Sequence, residues 1–146
     1  MQIPLWLIYA ILAAACAAMI SILGKLGLKG INSDLATALR SIVQATFVVA
    51  FAALVGVFRH ASQLQGNHKA YLSIIGAGVL GGLSWIFAFR ALALAEASKV
   101  APIDKLSMPM AVILAFVLLG ERPSGVNWAG VGLIAVGAYL ATLAKS

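Results

Sequence analysis

Residues 100–119 read VAPIDKLSMPMAVILAFVLL, and the length and grain of that stretch decide the fold. At 1.5 Å per residue, a helix needs ~20 predominantly apolar residues to cross the hydrocarbon of a bilayer, and the segment has that length. From Met108 onward its apolar residues run without interruption, whereas a membrane barrel strand would alternate polar and apolar over about 10 residues. A backbone surrounded by lipid has to satisfy its own hydrogen bonds, so such a run reads as a transmembrane helix. The first half of the segment breaks the grain with Asp104-Lys105 and with two prolines, Pro102 and Pro109.

Working outward, four more apolar segments of similar length flank it, and the spans predicted are 4–23, 35–58, 70–94, 100–119 and 125–144. The expected fold is therefore an all-α integral membrane protein, a five-transmembrane-helix bundle forming a single domain over residues 1–146. The residues left over suffice for termini and short connections, not for a soluble domain. The first segment lacks a basic leader and a clear cleavage site, so it reads as a retained helix rather than a signal peptide. Asn32-Ser33-Asp34 and Ser124 supply N-cap chemistry ahead of the second and fifth spans. Pro102 is expected in the first turn of the fourth span, where its missing N–H does no harm.

Composition agrees. Of 146 residues 63% are hydrophobic, with 10 Lys and Arg against 4 Asp and Glu; ordinary globular domains are about 45–50% apolar and about 25% charged. This excludes a soluble globular domain, a disordered chain, a coiled coil and a disulfide scaffold. The net charge of +6 comes from basic residues scattered singly, which argues against nucleic acid as a partner and for membrane lipid, whose anionic heads meet positive charge at span ends. The one cysteine, Cys16, cannot form an intramolecular disulfide. His60 and His68 have no carboxylate or cysteine nearby in the sequence, so neither a metal site nor a cofactor is expected. No nucleophile, base and orienting acid recur in a catalytic pattern, and an enzyme is not expected.

Orientation follows from Lys and Arg near span ends. One side holds Lys25, Lys29, Arg40, Arg90, Lys99, Lys105 and Lys145, and the other Arg59, Lys69 and Arg122. The bias places the C-terminus in the cytoplasm. Counting loop residues alone, Lys25, Lys29, Lys99 and Lys145 face Arg59, Lys69 and Arg122, which is nearly balanced.

An ionisable group inside the hydrocarbon costs roughly 2.5–3.5 kcal/mol at a helix centre, so each one marks a candidate site. Arg40, Arg90, Asp104 and Lys105 all fall a few residues inside a span. Read functionally, they line a polar vestibule in which Asp104 pairs with Arg40 or Arg90, and the basic surplus suits an anionic or zwitterionic solute. Read structurally, the cations snorkel to lipid heads and Asp104 is an ion-pair partner. Pro109 removes the N–H that the Lys105 carbonyl would accept and kinks the helix; Pro102 and Pro109 together bracket the charged pair. Ser107 and Trp85 are candidate cavity residues, with Phe87 and Phe89 lining a cavity or meeting lipid. Gly78 and Gly82 have the GxxxG spacing, and Gly76, Gly81, Gly130 and Gly137 extend the set of small residues expected at helix contacts.

The run Ala93-Leu94-Ala95-Glu96-Ala97-Ser98-Lys99-Val100-Ala101-Pro102-Ile103-Asp104-Lys105-Leu106-Ser107, followed by Leu119-Gly120-Glu121-Arg122, closely resembles the EamA family of the drug/metabolite transporter superfamily. A second match covers Lys25-Leu26-Gly27 and Ser33 to Arg40. The pattern is similar to the single-repeat, five-helix short form, and Met108-Pro109 resembles the proline of ten-helix relatives. The resemblance implies one half of an inverted-repeat transporter fold, in which two five-helix units face each other around a central cavity. It further implies an inner (plasma) membrane half-transporter that exports a small metabolite or drug by alternating access. Its expected partners are a small-molecule substrate and a second half, in a homodimer that can be antiparallel or in a pair with a related half-transporter. The competing reading is a non-transporting accessory or assembly subunit whose charges only fix topology.

Overall fold

A computed structural model describes residues 4–64 and 66–143; Lys145, used in the orientation count, lies outside them. The described residues are helical, with no strands among them. Among the described residues, five helical stretches are long and apolar enough to cross a membrane: Leu5–Gly27, Ser33–Leu54, His68–Leu94, Ala97–Leu119 and Gly125–Leu143. The first three are α1, α2 and α3. The fourth stretch comprises α4 (Ala97–Asp104), α5 (Ser107–Leu114) and a wide π turn at Ala115–Leu119; the fifth is α6 (Gly125–Leu143).

The ends of these helices have local causes. The Asn32 side chain accepts from the backbone N–H groups of Asp34 and Leu35 at 2.8 and 3.2 Å, capping α2 as expected. The Ser124 hydroxyl accepts from the Asn127 N–H at 3.3 Å and caps α6. Gly120, with φ of 68°, closes the fourth stretch: in this left-handed conformation, which a Cβ disfavours, the next residue's N–H returns to the Ala115 carbonyl at 3.3 Å.

Three boundaries differ from the sequence reading by three residues or more. The first span was expected to end at residue 23, but α1 runs on to Gly27. The second span was expected to reach residue 58, but α2 stops at Leu54, and Gly56 leads into a 3-10 turn at Val57–Leu64. The fourth span begins at Ala97 rather than residue 100. Pro102 therefore sits inside α4 instead of in its first turn, and it has no N–H to give to the Ser98 carbonyl.

The chain divides into two compact parts, Leu26–Ala93 and the combination of Met1–Lys25 with Leu94–Ser146. In the first, Thr37 of α2 and Phe89 and Leu92 of α3 are buried. Thr37 turns its hydroxyl inward to the Ser33 carbonyl at 2.8 Å, so its burial leaves that donor satisfied. In the second part α4 and α5 pack against α6, burying Pro109 and Ala138. Phe116 meets Trp128 edge to face, with ring centroids 6.0 Å apart. Most large apolar side chains point away from the rest of the chain, as helices that gain their hydrophobic stabilisation from lipid can do.

Candidate functional site

In the part formed by α2 and α3, the polar residues of α2 recur at helical spacing. Asp34, Thr37 and Ser41 share a face, and the Ser41 hydroxyl donates to the Thr37 carbonyl at 2.8 Å. On α3 the sequence Trp85, Phe89, Leu92 repeats every three or four residues and presents one apolar face, of which Phe89 and Leu92 are buried. Arg90 reaches across to Asp34 with both prongs of its guanidinium, Nε to Oδ1 at 2.8 Å and Nη2 to Oδ2 at 2.9 Å. Such a bidentate pair fixes direction as well as charge. Arg40 takes a different partner. Its guanidinium carbon lies 3.5 Å from the centroid of the Trp85 ring and 5.8 Å from that of Phe89, and the two rings stand edge to face at 5.9 Å. The π face attracts the cation and offsets part of the cost of holding its charge away from water, while the charge itself remains. Arg40 Nη1 is buried and, among the described residues, has no hydrogen-bond partner.

Asp34 was read from sequence only as a capping residue, and the carboxylate expected to meet an arginine was Asp104. Within its own part it is Asp34 that holds Arg90, and in the other part Asp104 holds its neighbour Lys105, Nζ to Oδ2 at 3.2 Å. Antiparallel helices joined by a connection place the start of one beside the end of the other, and this was the signal available for Asp34 and Arg90. Of the three aromatics, Phe89 is buried and Phe87 points away, while Trp85 carries the arginine.

In the other part, the break between α4 and α5 gathers Asp104, Lys105 and Ser107. The disturbance expected from Pro109 is present and is repaired locally. The Lys105 carbonyl, deprived of an N–H at residue 109, accepts from the Met108 N–H at 3.0 Å. That leaves the Asp104 carbonyl without its usual donor, and the Ser107 hydroxyl supplies one at 2.8 Å. A serine suits this position because its short hydroxyl side chain can fold back on the preceding turn.

At the far end of α1, Lys25 Nζ donates to the Ala95 carbonyl at 2.8 Å, in the turn just before α4. From that tie the two helices run in opposite directions and enclose a groove of about 550 Å³. Ala14, Ala17, Ala18 and Ser21 form one wall, and Ser98, Ala101, Pro102 and Lys105 belong to the other. A second cavity of about 420 Å³ lies between α5 and α6 beside Glu121, Arg122 and Asn127.

Helices of this length and apolarity, bearing charge within the spans, define a multi-pass membrane protein. Residues 4–143 match the EamA-like transporter family, and the chain belongs to that family. A protein named an uncharacterized transporter in the cobO 3' region, from a Sinorhizobium species, is 40% identical over 135 residues, covering 92% of this chain and 94% of its own length. A riboflavin transporter of Vibrio cholerae serotype O1 is 36% identical over 73 residues, 49% of this chain but 24% of that protein. No solved structure shows a significant match.

Proposed function

We propose that the chain is a half-transporter of the inner membrane, which pairs with a second copy and exports a small organic solute by alternating access. Membership in a transporter family carries the reading. Family membership weighs against the accessory-subunit alternative, as do charged side chains retained within the spans. The Sinorhizobium relative, matched over 94% of its length, is a transporter by name and about as long as this chain. An odd number of spans lets two copies of one unit face each other in opposite orientations, as in inverted repeats, and nearly balanced loop charges permit both insertions.

Two observations favour pairing. Few side chains are buried within one copy. A Cβ added at Gly76, Gly78, Gly81 or Gly82 of α3, or at Gly130 or Gly137 of α6, would meet no atom within 4 Å beyond the backbone of its own helix and its chain neighbours. The small-residue faces expected to pack helices together thus stand open in the single chain, available to a partner helix.

Asp104, Lys105, Arg40 and Arg90 are the groups assigned to solute binding or energy coupling, with Ser107 holding the break and Trp85 seating Arg40. The test is solute flux into vesicles containing only this chain, against a panel of riboflavin, amino acids, organic anions and cationic drugs. Flux of at least one class is expected, and Asp104→Asn should abolish it while insertion and pairing persist. Normal flux in that variant would remove Asp104 from the site, and no flux of any solute would favour the accessory subunit.

A further inference from the structure

We infer that the groove between α1 and α4 is a binding site for an amphipathic organic anion, with its carboxylate or phosphate at Lys105 and its apolar body along the alanine wall. Its volume of about 550 Å³ lies within the range of roughly 300–1,000 Å³ typical of small-molecule sites. Lys105 is the charged residue in its lining. Asp104 is outside the lining and engages one of the three ammonium donors, so the others remain for a ligand oxygen. The apolar side is built from small residues, Ala14, Ala17 and Ala18 on α1 and Ala101 on α4, which leave width for a ring or chain. At the opposite end stand Ser21 and Ser98; the Ser21 hydroxyl donates to the Ala17 carbonyl at 3.3 Å and keeps its lone pairs as acceptors. Lys105 and Ser98 are seven residues apart, so the groove is about 10 Å long from its cationic end to its polar end. A cation would meet the ammonium directly and is disfavoured; a neutral apolar solute would leave the remaining ammonium donors unserved.

The fate of the bound anion rests on the transport reading, but its binding does not. The test uses the full chain in vesicles, with Cys16→Ala removing the single cysteine and Ser98→Cys placing a thiol in the groove. Two methanethiosulfonate reagents of similar size serve as probes, one ending in a sulfonate and one in a trimethylammonium group. The ratio of the anionic to the cationic labelling rate should fall about tenfold when Lys105→Met is added, a value between the limits for a unit charge at about 10 Å in water and near a protein surface. Asp104→Asn should raise the ratio by removing the competing carboxylate. Should Ser98→Cys fail to insert, Ala18→Cys on the opposite wall reads the same groove. A ratio indifferent to Lys105 would overturn the inference. So would a thiol closed to both reagents that cross-links to a second copy, because the groove would then hold a helix. Flux that persists while the ratio test fails would reject this groove and leave the transport reading standing; a passed ratio test without flux of any solute would do the reverse.

Discussion

Arg40 and Arg90 are both arginines within spans, yet the structure handles their charge in different ways. Arg90 is matched by a carboxylate in a fork geometry, whereas Arg40 lies on an indole face with one nitrogen unbonded. A guanidinium stacked in this way is held in position without being neutralised, and it keeps a donor for an incoming group. A double-mutant cycle on Arg40→Met and Trp85→Leu should give a coupling of about 1 kcal/mol, within the roughly 0.5–2 kcal/mol of cation–π pairs. Unfolding in mixed detergent micelles measures it, and a coupling near zero would mean that the ring merely lies beside the charge. Arg40 and Arg90 stood out in the sequence as ionisable groups within apolar segments. Their partners did not, because Asp34 and Trp85 lie far from them along the chain and only the pairing of α2 with α3 brings them close.

At the scale of the element, the break between α4 and α5 depends on a relay of hydrogen bonds. Pro109 removes one donor, Met108 moves to cover the Lys105 carbonyl, and Ser107 covers the carbonyl that Met108 leaves. Ser107→Ala should therefore destabilise the protein by about 1 kcal/mol, the net worth of one hydrogen bond. Adding Pro109→Ala should recover most of the loss, since residue 109 then serves Lys105 and Met108 can return to Asp104. Thermal unfolding of the two variants in detergent checks this, and an uncompensated loss in the double variant would refute the relay. The prolines made the break legible in sequence. The repair was not, because Ser107 reads as a cavity residue until its hydroxyl is seen bonded to a carbonyl three residues back.

For the whole molecule the deciding feature is how little one copy buries. Glycine faces that would let helices approach closely have open space beside them. Gly82→Leu should accordingly be tolerated by the single chain and damaging to the pair. Insertion should remain normal while the dimer dissociation constant rises about tenfold, which corresponds to about 1.4 kcal/mol. Cross-linking at graded lipid dilution measures both. Unchanged association would place the interface on another face, and failed insertion would mean that Gly82 packs within one copy.

The sequence alone determined that this chain belongs in a membrane, that five of its segments are long and apolar enough to cross one, and that it resembles the EamA-like transporter family, to which residues 4–143 match. These properties follow from hydrophobicity, segment length and local residue order, which are written along one dimension. The tertiary structure decided which charges meet. Asp34 with Arg90, Arg40 with Trp85, and the α1–α4 groove that receives Lys105 each join residues distant in sequence. A single charged or aromatic residue has many possible partners, and the packing of helices against one another selects among them.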